Sequence, residues 1–142
     1  MDTRGRHLLV EYWGCNQSIL DDVSEIQTLL MRAAYAANTR IVDSIFRPFE
    51  PQGVTGVVVI EESHLSVHTW PEHGYATVDF YTCGQGEPDA AHEVILVGLQ
   101  ATGYEMIRVD RGLLKAQMAM QLQDHVRRSL SDAPCRFRPR LK

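Results

Sequence analysis

The residues with chemistry to offer are concentrated in one run, Glu61-Glu62-Ser63-His64-Leu65-Ser66-Val67-His68-Thr69-Trp70-Pro71-Glu72, directly after the apolar Val57-Val58-Val59-Ile60. Ser63 heads an expected strand, where a turn can hold a strained backbone. A serine hydroxyl becomes a nucleophile only with a base or a strained geometry. His68 is the obvious base, since its ordinary pKa of ~6.5 lets it move protons near neutrality. Geometry resists that pairing within one chain. If 63–68 is a single extended strand, the two side chains lie ~16 Å apart, at ~3.3 Å per residue, and on opposite faces. Either the strand breaks, or two chains share each site.

Other residues carry weaker signals. His64, His68, Glu72 and His73 have ligand chemistry, but His64 and His68 are ~13 Å apart on a strand, too far for one zinc with bonds of ~2 Å. No metal is expected. His7, His92 and His125 read as surface or structural histidines. Cys83 lies between Thr82 and Gly84 at a strand end. It is either a small buried hydrophobe or a thiol at the strand-to-loop boundary where chemistry concentrates. Cys15 reads as structural and Cys135 as inert. Phe49, in a Pro/Gly loop, is either an anchor packed on the core or a platform for a flat or cationic ligand. Trp70 reads as core or interface. Glu72 is either solvated or an acceptor for ribose hydroxyls.

The chain has 142 residues, hydrophobic content of 44% and a formal net charge of −4. That is the profile of one ordinary globular domain, and its negative balance argues against nucleic acid as a partner. Three cysteines without a CxxC pair indicate neither a zinc site nor a disulfide framework. No apolar run approaches the ~20 residues of a membrane span, and no apolar segment follows the N-terminal charges as in a secretory signal. The cytoplasm is the expected location.

The elements that must position these residues follow from periodicity. His7–Trp13 reads as a strand stopped by Gly14. Ile19, Leu20, Val23, Ile26, Leu30, Ala33, Ala34 and Ala37 recur at helical spacing. Asn16 or Ser18 can cap that helix, and Asn38 can stop it. Strands are predicted over Arg40–Phe46, Val54–Ile60, Leu65–Trp70 and Tyr75–Thr82, with Pro48, Pro51 and Gly53 in an irregular loop. Pro88 suits a helix start, Ala90–Gly98 supplies its apolar face, and Gly103 suits its stop. Tyr104–Val109 is a sixth strand. Leu113–Leu130 has helix-forming composition. The order β-α-β-β-β-β-α-β, with short links between strands three, four and five, predicts an α+β fold. Its economical form is a two-layer α/β sandwich, an antiparallel sheet with the helices packed on one face.

Taken together, these residues resemble the prokaryotic S-adenosylmethionine decarboxylase proenzyme family, of the short, single-domain, pyruvoyl-dependent class. The resemblance runs from Gly5-Arg6-His7 to Cys83-Gly84. Its carriers are Gly53-Val54-Thr55-Gly56-Val57-Val58-Val59-Ile60, the run from Glu62 to Ala76, and Tyr81-Thr82-Cys83-Gly84, with Arg111-Gly112 as a later landmark. It implies self-cleavage between Glu62 and Ser63, giving a β chain of 1–62 and an α chain from 63. The Ser63 hydroxyl attacks the Glu62 carbonyl, β-elimination leaves dehydroalanine, and hydrolysis yields a pyruvoyl group. That ketone forms a Schiff base with the substrate amine and serves as the electron sink, the work pyridoxal phosphate does elsewhere. The resemblance therefore implies a covalent pyruvoyl cofactor, with neither pyridoxal phosphate nor metal.

The same resemblance assigns roles. His68 transfers the proton in processing, and Cys83 donates the proton after CO2 leaves. Thr55 assists cleavage, Phe49 stacks on adenine or faces the sulfonium, and Glu72 binds the ribose. The expected assembly is a homodimer of αβ units, with Ser63 and Cys83 from one protomer and Thr55 and His68 from the other. No nucleic acid or membrane partner is implied. The product supplies aminopropyl groups for spermidine synthesis. Residues 1–112 read as the single catalytic domain and 113–142 as a C-terminal helix and basic tail. Position 55 is usually serine in this family, and a threonine there is stiffer at χ1, which predicts slower processing. Two competing expectations are the same chemistry on arginine or ornithine, and an unprocessed, non-catalytic partner subunit.

Overall fold

The computed structural model describes residues 3–112 and the backbone of 122–129. Its strands are β1 (Gly5–Trp13), β2 (Arg40–Pro48), β3 (Val54–Glu61), β4 (Ser63–Trp70), β5 (Tyr75–Thr82), β6 (Gly103–Arg111) and β7 (Leu122–Ser129). Its helices are α1 (Gln17–Leu20), α2 (Val23–Ala36) and α3 (Pro88–Gly98). The strands form one sheet in the order β2-β3-β4-β5-β1-β6-β7, and every neighbouring pair is antiparallel. This is the expected α+β sandwich, with β1 inserted between β5 and β6.

Alternation along the strands decides which face is covered. Leu65, Val67 and Thr69 of β4 and Ala76, Val78 and Phe80 of β5 are buried. They meet Ile26, Leu29, Leu30, Ala33 and Ala34 of α2 and Ala91 and Ile95 of α3 in one core. Fully burying each large aliphatic chain contributes roughly 1.5–3 kcal/mol, so this layer holds the fold together. Thr69 ties it to the chain before α2. Its Oγ1 accepts from the Val54 N–H at 2.7 Å and donates to the Leu20 carbonyl at 2.7 Å. The opposite face carries His7, Glu11, Thr55, Val57, His64, Ser66, His68, Trp70, Asp79 and Tyr81, none of them fully covered by this chain except Ser66.

Three local expectations are corrected. The helix foreseen over Ile19–Ala37 is two helices. Asn16 caps the first, and Asp22 caps the second by accepting from the Ser24 and Glu25 N–H groups. The break serves Asp21, whose carboxylate accepts from the Gly53 N–H at 2.8 Å. Gly103 does not stop the last helix; α3 ends before Leu99, and Gln100 takes the left-handed conformation, φ 53°. Gly103 instead opens β6 under Trp13, whose Nε1 would stand 2.3 Å from any added Cβ. The helix foreseen over Leu113–Leu130 is not present at Leu122–Ser129, which pair with β6 as β7. An unpaired edge of β6 offers backbone hydrogen bonds that outweigh local helix propensity. The remainder of that stretch, the basic tail and Cys135 lie outside the described residues. His92 is structural as expected, and His7, half-buried within a cluster of rings, is structural too. Among the described residues no helix is long and apolar enough to cross a membrane.

Candidate active site

Strands β3 and β4 form a hairpin in which Ile60 pairs with Ser63, so only Glu61 and Glu62 lie between the paired positions. Ser63 follows this turn at φ 120°. A non-glycine residue in that region costs on the order of 1–3 kcal/mol of backbone strain. The strain is held by the sheet on both sides, since Ser63 pairs with Ile60 on one flank and Thr82 on the other. The second pairing brings Cys83, the next residue after Thr82, to the same end of the sheet. Cys83 is half-exposed, and its Sγ donates to the Tyr81 hydroxyl at 3.2 Å.

Beside Cys83 lies a cleft of about 350 Å³ lined by Arg4, Gly5, Arg6, Thr82, Gly84, Asp110 and Arg111. That is within the size range of small-molecule sites. Tyr81 stands at its edge. The Arg111 guanidinium lies over the Tyr81 ring, 4.5 Å from its centroid, and His7 and His64 flank it at 5.4 and 6.0 Å. Burial pulls the His7 imidazole below its ordinary pKa, against the opposing pull of Asp79. The sequence named His7, His64, Tyr81 and Arg111 but did not bring them together. Their clustering depends on strand order, which periodicity does not reveal.

At the other end of β4, Thr55 pairs with His68. The Thr55 hydroxyl and His68 Nδ1 are 2.9 Å apart. For His68 to take a proton at Nε2, Nδ1 must carry the ring hydrogen and donate it to Thr55 Oγ1. Trp70 flanks the imidazole at 6.4 Å between ring centroids. Beyond it the chain turns through Pro71–His73. Gln52 Nε2 donates to the Glu72 carboxylate at 3.1 Å, and Phe49, 47% exposed, lies in the same loop as Gln52. Phe49, Thr55, His68 and Glu72 thus belong to one end of the hairpin, Ser63 and Cys83 to the other. Because β4 is continuous from Ser63 to Trp70, one chain keeps the two groups ~16 Å apart.

The remaining sequence candidates fall away from this arrangement. Cys15 is buried, and burial pushes its thiol up to about 12, which makes it unreactive. His92 is buried on the inner face of α3, with Nδ1 2.8 Å from the Tyr12 hydroxyl. Among the described residues no cluster of His, Cys, Asp or Glu could hold a metal ion.

Residues 6–112 match the family model for S-adenosylmethionine decarboxylase. The chain is 44% identical, over 83% of its own length and 94% of the relative's, to S-adenosylmethionine decarboxylase proenzyme 2 of Halalkalibacterium halodurans. It is 47% identical, over 79% of its length and 87% of the relative's, to S-adenosylmethionine decarboxylase proenzyme 1 of Bacillus cereus. The crystal structure of the adenosylmethionine decarboxylase from Aquifex aeolicus superposes with a TM-score of 0.71 at 37% identity, covering 85% of this chain and all of that one. A hairpin that strains a serine, a thiol beside it and a match that runs from β1 to β6 have one common reading: the chain belongs to the S-adenosylmethionine decarboxylase family.

Proposed function

We propose that this chain cuts itself between Glu62 and Ser63 and, once cut, decarboxylates S-adenosylmethionine, as a carboxy-lyase that feeds aminopropyl transfer in spermidine synthesis. The observation that carries the reading is the Ser63 backbone, φ 120° at the bond that would break. Strain stored there is released when the hydroxyl attacks the Glu62 carbonyl and the acyl group moves from nitrogen to oxygen. Elimination across Cα–Cβ then expels the Glu62 carboxylate, and hydrolysis releases ammonia and leaves the ketone. Ser63, with its neighbour Cys83 across the strand pair, fits a pyruvoyl group at that position. The group supplies an electron sink for loss of CO2. Cys83 holds the proton that replaces CO2, Phe49 and Glu72 receive the adenosyl part, and Thr55 orients His68 for proton transfer during cleavage.

The ~16 Å between Ser63 and His68 supports a homodimer in which each site draws Ser63 and Cys83 from one protomer and Thr55, His68, Phe49 and Glu72 from its partner. The open face supports it too, with Val59 41% and Trp70 36% exposed beside the polar groups. The free thiols Cys15 and Cys83 suit work in the cytoplasm, a part of the proposal that cell fractionation checks.

A denaturing gel tests the first step: two bands of the masses of 1–62 and 63–142 are expected, with a carbonyl at the new N-terminus by mass. One intact band overturns the reading. Release of CO2 from S-adenosylmethionine, against arginine and ornithine in parallel, tests the substrate. Sharing is tested by co-expressing a Ser63→Ala chain with a tagged His68→Ala chain. Neither cuts alone, and random pairing leaves about half of the tagged chains beside a partner that can serve them. No cutting of the tagged chain in the mixture rejects the shared site.

A further inference from the structure

We propose that Tyr81 is the positioning residue of the Cys83 thiol, accepting its S–H hydrogen bond at rest and donating to the sulfur after the proton has been given away. The inference rests on the reading of Cys83 as proton donor and adds a residue to it. Its basis is geometric. The Tyr81 hydroxyl is 3.2 Å from Cys83 Sγ, and the Tyr81 ring is held from three other strands. His7 of β1 and His64 of β4 flank it at 5.4 and 6.0 Å, and the Arg111 guanidinium of β6 lies over its face at 4.5 Å. Gly5 leaves the room for it, since a Cβ at that position would stand 2.6 Å from Tyr81 Cε2. The ring is thus held with its hydroxyl on the sulfur.

The surroundings favour a phenol that stays protonated. Its hydrogen bond to Cys83 raises the Tyr81 pKa, burial adds to the rise, and Arg111 opposes it. Arg111 also lies 3.4 Å from His7 Nδ1, where it donates to the ring nitrogen; burial first, and Arg111 with it, lowers the His7 pKa against the pull of Asp79. A protonated Tyr81 next to Cys83 has two roles in sequence. While Cys83 carries its hydrogen, Tyr81 Oη is an acceptor and aims the S–H bond. When the S–H bond breaks and a C–H bond forms on the substrate carbon that lost CO2, the electron pair stays on sulfur. Tyr81 then rotates its O–H toward the thiolate, a charge-assisted hydrogen bond. Solvent restores the thiol through the same oxygen: the O–H bond breaks as S–H re-forms, and water refills the oxygen. One proton from solvent is consumed for each CO2 released, as the overall reaction requires.

The experiment is the pH profile of Cys83 alkylation by iodoacetamide, read by the mass of the Cys83 peptide so that Cys15 and Cys135 do not contribute. It is run on the cut protein and on the uncut Ser63→Ala chain. The titratable and charged groups facing the pair are His7, His64 and Arg111 around the ring and Arg4, Arg6 and Asp110 along the cleft beside Cys83, and they are unchanged in the comparison. Tyr81→Phe removes the donor to the thiolate and moves the alkylation midpoint up by about one pH unit. In the cut enzyme kcat falls about tenfold while KM stays within twofold, because the lost contact acts after binding. An unmoved midpoint in both chains overturns the proposal. Should Tyr81→Phe not fold, replacing tyrosine by 3-fluorotyrosine acidifies the phenol without removing it. The midpoint must then move down, and no movement overturns the proposal equally. Failure of the underlying reading looks different: a Cys83→Ala enzyme that still releases CO2 at the parental rate removes Cys83 as donor, whatever the alkylation profile says of the pair.

Discussion

The hydrogen bond between Thr55 and His68 gives the sharpest test of how the chain is processed. Thr55→Val removes the hydroxyl and keeps both the volume and the β-branch, so the strand pairing and the χ1 preference stay as they are. The bond lost is a neutral one of 2.9 Å in a half-buried place, worth ~1–1.5 kcal/mol net. If that bond only stabilises the fold, the cost appears as a melting temperature lower by ~3 °C and nowhere else. If it also holds His68 in the tautomer and orientation that receive the Ser63 proton, the same energy is lost from the transition state. Self-cleavage then slows by about five- to twelvefold. The assay is a time course of band conversion on a denaturing gel, with the melting temperature as control. Thr55→Ser keeps the hydroxyl on a less restricted side chain and is expected to cut at least as fast as the parent. Cleavage of Thr55→Val within twofold of the parental rate, alongside the expected drop in melting temperature, refutes the role given to this pair.

Three further outcomes are expected. Phe49→Leu raises KM for S-adenosylmethionine about tenfold with kcat near the parental value, since a flat platform is lost and the reacting groups are not; a fall in kcat with unchanged KM argues against it. Glu11 is raised above its ordinary pKa by burial first, then by Asp79 and Glu105, while its carboxylate accepts from the Tyr75 hydroxyl. A raised carboxyl stabilises the fold below its unfolded pKa and loses that contribution as pH rises through its folded one. Glu11→Gln therefore melts higher than the parent at pH 7–8 and shows no such gain at pH 4, by calorimetry at both pH values. Gly56→Ala drives a Cβ to 2.1 Å from Phe46 Cδ1, and the overpacking costs ~1–3 kcal/mol, read as a drop in the denaturant midpoint.

Much of this site was legible in the sequence because a hairpin carries its own ruler. Once Ile60 faces Ser63 across a two-residue connection, counting back along β3 puts Thr55 opposite His68. Counting on from the next turn puts Thr82 opposite Ser63. The alternation of Tyr75–Thr82 then decides that Tyr81 shares a face with His64. What counting along the chain does not supply is the neighbour from elsewhere. β1 enters the sheet between β5 and β6, and only that insertion brings His7 and Arg111 to the Tyr81 ring. Non-sequential pairing leaves no local periodicity to read, so the ring cluster around Cys83 was invisible while the placement of Thr55, Ser63 and His68 along one hairpin was not. The same asymmetry explains the two misread helices. At Asp21-Asp22 the apolar period runs on unbroken, but Asp22 gains more as a cap, with two backbone donors, than as a residue inside a helix. At Leu122–Ser129 composition favours a helix, yet the free edge of β6 offers a full ladder of backbone partners. In each case a contact distant in sequence outweighs a local preference of a few tenths of a kcal/mol per residue. Functional groups on one hairpin escape that competition, because their spacing is set by the turn that joins them.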